Sequence, residues 1–145
     1  MISFKEEYLK AMYDGLKLHE FRRRFSKVGY EFYSLIYVSS PVSAVTAIIK
    51  FDSVIYGDIE KMIRLRQSHK FSSDDNLRAY FEDLNMGYAL PVLSVKMLDE
   101  PVDLKTLRQL IPGFLPPQSY FRIGDKYSKI VEYVKEVNNI GNEII

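Results

Sequence analysis

Apolar residues recur at helical spacing at Leu9, Met12 and Tyr13, and Ser3 with Glu6 offers a capping box just ahead of them, so the pattern predicts an N-terminal helix. Gly15 is its expected stop, because the left-handed position that follows a helix favours glycine. Between Lys17 and Arg23 the helical period is lost, and the chain is expected to run extended toward a loop around Lys27 to Tyr30. From Phe32 the residues become aromatic, β-branched or aliphatic (Tyr33, Leu35, Ile36, Tyr37, Val38), and Ser39-Ser40-Pro41 ends that predicted strand. A second apolar run, Val45 to Ile55, is long enough to need a bend or bulge. The polar break between the two runs suggests an antiparallel pair.

Two helices follow. Asp58 can cap a segment with Ile59, Met62, Ile63 and Arg66 on one side and Lys61, Arg64 and Ser68 on another. Ser72 or Ser73 can cap the next, where Leu77, Tyr80, Phe81 and Leu84 share a face. Strand character returns from Tyr88 to Leu98, with Pro91 expected at an edge or bulge. Asp103 caps a short helix that Pro112-Gly113 stops, Pro116 to Ile123 reads as a turn into a short strand, and Tyr127, Ile130, Val131, Val134 and Val137 form the stripe of a final helix. Strands interrupted in this way by helices define an α+β domain, a small barrel or curled sheet with helices packed on it.

The length of 145 residues suits one domain, and 47% hydrophobic with 27% charged residues excludes a disordered chain. The absence of cysteine excludes disulfide stapling, thiolate-held zinc and cysteine nucleophiles, and two histidines argue against a His-rich metal site. Neither a metal nor a cofactor is therefore expected. No apolar stretch is long enough to span a bilayer, and Lys5, Glu6 and Glu7 stand where a signal peptide would carry its apolar run. No membrane association is expected, and the expected location is the cytoplasm.

A formal net charge of +1 conceals an uneven distribution. Five cations (Lys17, Arg22, Arg23, Arg24, Lys27) and one anion (Glu20) lie between Gly15 and Tyr30, and four cations with no anion between Lys61 and Lys70. The remainder is net acidic. If folding brings the two basic segments together, a near-neutral protein can still present a positive cleft.

The stretch from Gly15 to Arg24 carries the most chemistry. In a strand Glu20 and Arg22 project to one face, and Lys17 at the preceding turn can lean over either. A carboxylate beside an arginine fixes the guanidinium and leaves donors free for a phosphate or a base edge. The same residues would equally make a salt-bridged strand edge that discourages aggregation. His19 shares a face with Phe21, His69 lies near a helix end, and spacing identifies a partner for neither. Tyr30, Phe32, Tyr120 and Phe121 are the aromatic candidates for base stacking. Ser39, Ser40 and Ser119 lack the surroundings of a serine hydrolase.

Gly15-x-Lys17-x-x-Glu20-x-Arg22 after an N-terminal helix resembles the signature of the ASCH domain of the PUA-like superfamily. Leu35 to Val42 resembles the strand that follows in that family, Gly87-Tyr88-Ala89-Leu90 a later strand entry, and Pro116-Pro117-Gln118-Ser119-Tyr120 the "PPQS" element of a prokaryotic subgroup described as predicted transcriptional regulators. The resemblance implies a single ASCH/PUA-like domain over residues 1–145: a β-barrel of five or six mostly antiparallel strands with helices around it, and an amphipathic helix at about 125–139 as an extension. It implies an RNA or nucleotide-binding module with a cleft formed by Gly15, Lys17, Glu20, Arg22, Arg23 and Arg24, joined by Lys61, Arg64, Gln118 and Ser119, in a regulatory or RNA-processing role. Some similar small proteins hydrolyse N4-acetylcytidine with a lysine and a threonine of this motif. Lys17 matches the lysine, whereas Glu20 stands in place of the threonine, so an amidohydrolase using Lys17 and Glu20 is the enzymatic alternative. A third reading is a non-catalytic interaction module, with the stripe of the last helix pairing in a homodimer.

Overall fold

The computed structural model describes residues 1–142 and has six strands and five α-helices among them. In chain order these are β1 (Ile2–Phe4), α1 (Glu6–Tyr13), β2 (His19–Arg22), β3 (Phe32–Val38), β4 (Ala44–Phe51), β5 (Ile55–Asp58), α2 (Ile59–Arg66), α3 (Asp74–Tyr80), β6 (Met86–Asp103), α4 (Leu104–Leu110) and α5 (Ser128–Val137). The strand order is β1-β3-β4-β6-β2, with β5 also paired to β6. The β1–β3 pair is parallel, while β2 and β5 run antiparallel to β6, so the sheet is mixed. The chain groups into two compact units, one of Met1–Glu6, Tyr33–Ile49 and the chain from Lys96 onward, the other of Glu7–Phe32 and Lys50–Val95.

In the first unit, Ile2 and Phe4 alternate with Ser3 and pair with Ile36 and Val38 of β3. The segment expected to cap a helix is thus a strand, and α1 begins only at Glu6. Ser3 instead ties β1 to the Pro117–Ser119 segment, its N–H donating to the Ser119 carbonyl at 2.9 Å and its Oγ to the Pro117 carbonyl. In place of the strand expected from Pro116 to Ile123 there is one bridge, Ile2 to Tyr120. The terminal ammonium of Met1 donates to the Phe121 carbonyl at 2.8 Å, and burial lowers its pKa to about 5.

The core of this unit contains Leu35, Tyr37, Val45, Ile48, Leu107, Ile130 and Val134. The stripe of α5 is therefore spent inside its own unit, which removes the observation that favoured a homodimer through this helix. Phe121 stacks on Tyr127 at 4.6 Å and meets Phe114 edge-on, so it too is a packing residue and not a platform for bases. Asp103 accepts from the Thr106 N–H at 2.8 Å, the cap that the sequence predicts for α4.

The long apolar run is two strands rather than one bent strand, and only its end from Lys50 onward belongs to the second unit. Asp52 turns the chain, its Oδ1 accepting the Ser53 N–H at 2.7 Å, and the next strand starts at Ile55. β5 and β2 both pair with the start of β6, Ile55 and Phe21 each opposite Ala89. Pro91 lies beyond the last β5 pair, opposite His19. Asp58 caps α2 and Ser73 caps α3, accepting from the N–H groups of Lys61 and Asn76. Phe21, Met62, Ile63, Leu77, Phe81 and Ala89 form the core. Phe32 packs on Phe51 and Phe25 and is no more available for stacking than Phe121, whereas Tyr30 is 67% exposed.

A β-carbon on Gly87 would stand 2.5 Å from Cε1 of the buried Phe81 ring. Gly87→Ala should therefore destabilise by about 1–3 kcal/mol, read as a lower urea midpoint. Gly124→Ala, with nothing within 4 Å of the added carbon, should stay within about 0.5 kcal/mol of the parent. Equal midpoints for the two variants would contradict this packing.

Candidate functional site

Helix α1 ends in the way its glycine predicts. Gly15 adopts a φ of 75°, its N–H donates to the Met12 carbonyl and the Leu16 N–H to the Ala11 carbonyl at 2.8 Å, the paired pattern of a Schellman cap. The Lys17 N–H reaches the same Ala11 carbonyl at 3.2 Å. The cap folds the chain back over the helix end and delivers Lys17 to the start of β2.

Lys17 retains only 8% of its surface. Its Nζ lies 5.7, 5.3 and 5.9 Å from the ring centroids of Tyr8, Phe21 and Phe71. Burial pushes the ammonium pKa down, the Glu20 carboxylate opposes that shift and the Arg22 guanidinium adds to it. Glu20 is 5% exposed. Its Oε2 is buried, accepts no hydrogen bond among the described residues and stands 3.9 Å from an Arg22 guanidinium nitrogen, an ion contact longer than a hydrogen bond. Lys17, Glu20 and Arg22 are thus brought together as the strand alternation anticipates. Tyr80 lies within the field of this cluster: burial raises its hydroxyl pKa, Arg22 opposes the rise and Glu20 adds to it.

The two basic segments do meet. The Lys70 N–H donates to the Leu16 carbonyl at 3.0 Å, and His19 Nδ1 lies 2.7 Å from His69 Nε2. The imidazole planes differ by 9° with centroids 5.0 Å apart, so the rings are joined edge to edge in one plane and not stacked face to face. Phe21 flanks both, 6.0 Å from His19 and 5.5 Å from His69. His69 is held neutral: burial first, then His19, Lys17 and Arg66, lower its pKa to about 3, and burial with Lys17 also lowers that of His19.

The other expected site residues are more scattered. Arg23 is anchored on the carbonyls of Tyr80 and Glu82 at 2.6 and 3.0 Å, and Arg24 is exposed. Lys61 and Arg64 are exposed on the side of α2 opposite the buried Met62 and Ile63. Arg66 of the same segment is committed to Asp74 at 2.7 Å and to the Ser72 carbonyl. Gln118 and Ser119 are exposed in the other unit, where the Ser119 carbonyl holds Ser3. Tyr8, Phe71, Tyr80 and the histidine pair join the site without having been expected there. Their only signal in the sequence is their closeness to the basic segments. Among the described residues no group of three or more His, Asp or Glu could hold a metal ion, and no helix is long and apolar enough to cross a membrane.

No model of a known protein family matches the chain. A protein from Zymomonas mobilis described as an ASCH domain-containing ribonuclease is 29% identical over 119 residues, covering 82% of this chain and 80% of its own length. The crystal structure of an ASCH protein from Zymomonas mobilis superposes with a TM-score of 0.77 at 27% identity, over 90% of this chain and 92% of that one. A tyrosine-to-phenylalanine variant from the same organism gives 0.76 at 25% identity, over 91% and 94%. The fold is thus the α+β, PUA-like one that the motifs imply. In sequence and in fold the chain is similar to ASCH domain proteins.

Because His69 is lowered from 6.5 to about 3, the unfolded chain binds more protons than the folded one between those values. Stability is then complete above about pH 6.5 and falls as pH drops toward 3. Urea midpoints should decrease from pH 7 to pH 5, and His69→Gln should make that decrease smaller. An identical pH slope in parent and variant would contradict a neutral, buried His69.

Proposed function

We propose that this ASCH domain acts on RNA, binding a single strand at the basic face of the second unit and cleaving its backbone at Lys17. The observation that carries the reading is the recessed Lys17 ammonium, held by three aromatic rings beside the Glu20–Arg22 pair. A cation in poorly hydrated surroundings interacts more strongly with a phosphate than one in bulk water, and it needs little reorganisation to stabilise charge that develops on a phosphoryl oxygen. The description of the Zymomonas relative as a ribonuclease supports the same class of substrate.

In this reading Arg22 and Arg24 contact flanking phosphates, and Glu20 orients Arg22. Lys61 and Arg64 extend the positive surface along α2. The near-neutral net charge of the chain confines binding to this face and disfavours indiscriminate attachment to polyanions. Glu20 already faces Arg22, an arrangement better suited to fixing a phosphate-binding guanidinium than to activating water on an acylated nucleoside. The cellular role that follows is RNA processing.

The test is a labelled single-stranded oligoribonucleotide, followed by gel for cleavage and by anisotropy for binding across a salt series. Lys17→Met should reduce cleavage by about 10²-fold or more. Arg22→Ala with Arg24→Ala should weaken binding and lower the salt slope by about one for each phosphate no longer neutralised. Cleavage by Lys17→Met at the parent rate would overturn the assignment. So would a parent protein that leaves RNA intact but releases cytidine from N4-acetylcytidine.

A further inference from the structure

The imidazoles of His19 and His69 are joined to each other at 2.7 Å. Each ring makes its one hydrogen bond to the other, and neither outer nitrogen, Nε2 of His19 or Nδ1 of His69, is bonded to the described residues; His19 is half-buried and His69 buried. Two neutral imidazoles carry two ring protons on four nitrogens. One proton occupies the shared 2.7 Å bond. The other must sit on one outer nitrogen, which leaves the second outer nitrogen with a free lone pair. The pair is therefore a donor at one end and an acceptor at the other.

The surroundings keep it so. Lys17 faces both rings from the turn before β2, Arg66 faces His69 from α2, and Phe21 covers the pair from β2. Two cations and an aromatic wall disfavour an imidazolium but place no obstacle before a proton shift that leaves both rings neutral.

We propose that His19 and His69 form a two-ring proton relay that serves as both general base and general acid in phosphodiester cleavage beside Lys17. The inference rests on the ribonuclease reading above and assigns the proton transfers within it. The free outer nitrogen accepts the proton of the ribose 2′-hydroxyl as its oxygen attacks phosphorus. The shared proton crosses from the receiving ring to its partner, and the proton of the far outer nitrogen passes to the 5′-oxygen as the P–O5′ bond breaks. One P–O bond forms and one breaks, and the products are a 2′,3′-cyclic phosphate and a 5′-hydroxyl. No net charge is created on the pair. The rings finish in the opposite tautomer, and exchange with water restores the first. Lys17 stabilises the phosphorane oxygens, a role separate from proton transfer.

His19→Asn and His69→Gln test the relay, because each amide can occupy the bridging position while the outer nitrogen is lost. Each variant should lower kcat on the oligoribonucleotide by about 10²–10⁴-fold, with affinity for a non-cleavable 2′-deoxy oligomer kept within about threefold of the parent as the sign of an intact fold and site. The double variant should lose no more than the worse single one, since a relay fails as a unit. On a substrate whose 5′-leaving oxygen is replaced by sulfur, which departs without an acid, the deficit should shrink by about tenfold or more. Single variants that cleave within about threefold of the parent, losses that multiply in the double variant, or a deficit unchanged on the sulfur substrate would each overturn the relay while leaving the ribonuclease reading intact. A parent protein that cleaves no RNA would sink that reading, and the relay with it.

Discussion

An ammonium with 8% of its residue surface in contact with solvent has lost most of its hydration, and an isolated ion in that position costs several kcal/mol unless its surroundings replace the water. Around Lys17 the replacement comes from three sources. The faces of Tyr8, Phe21 and Phe71 offer quadrupoles within 6 Å, each worth about 0.5 to 2 kcal/mol toward a desolvated cation. Glu20 supplies the opposite charge, and the Schellman cap at Gly15 fixes the backbone from which the side chain departs. Take away the cap and the lysine has no reason to enter the rings. Take away Glu20, and Lys17 and Arg22 repel each other with nothing between them.

The same constraint organises the neighbouring groups. Burial, with the positive charge of Lys17 behind it, lowers the pKa of both imidazoles, and two neutral rings can share a proton along a short bond where two imidazolium ions could not. Phe21 faces Lys17 and both histidines, and edge-on it meets Phe81 in the core of the unit. Core packing and site geometry are therefore coupled through one aromatic ring. In the second basic segment the Arg66 side chain is committed to Asp74, whereas Lys70 is tied to Leu16 only through its backbone and its residue stays exposed. The positive charge left for a ligand is smaller and more localised than the residue count suggests.

What the sequence disclosed was governed by distance along the chain. Caps at Asp58, Ser73 and Asp103 and the glycine stop at Gly15 are contests settled within four residues, and each is visible in local pattern. The strand from Phe32 to Val38 and the stripe of α5 are equally legible, since periodicity alone defines them. Ser3 misleads because a capping box and a three-residue strand look alike until β3, more than thirty residues away, offers a partner. The run from Val45 to Ile55 hides its turn, because one Asp–Ser step among apolar residues is a faint signal beside the continuity around it. The Lys17, Glu20 and Arg22 cluster was readable from strand alternation and from likeness to a family motif. The His19–His69 contact spans fifty residues, and nothing in the spacing of two isolated histidines announces it.

In the proposed function Lys17 is a recessed cation that receives a phosphate. That role is tested most directly by labelling the lysine side chains with 13C and following the Lys17 Cε resonance through a pH titration, with and without a 2′-deoxy oligonucleotide that binds but cannot be cleaved. Lys17 should lose its proton at a lower pH than an ordinary lysine, and the bound oligonucleotide should move its midpoint upward, because a phosphate favours the charged form. A Lys17 midpoint that is not lowered from the ordinary lysine value and is unmoved by the oligonucleotide would contradict that role.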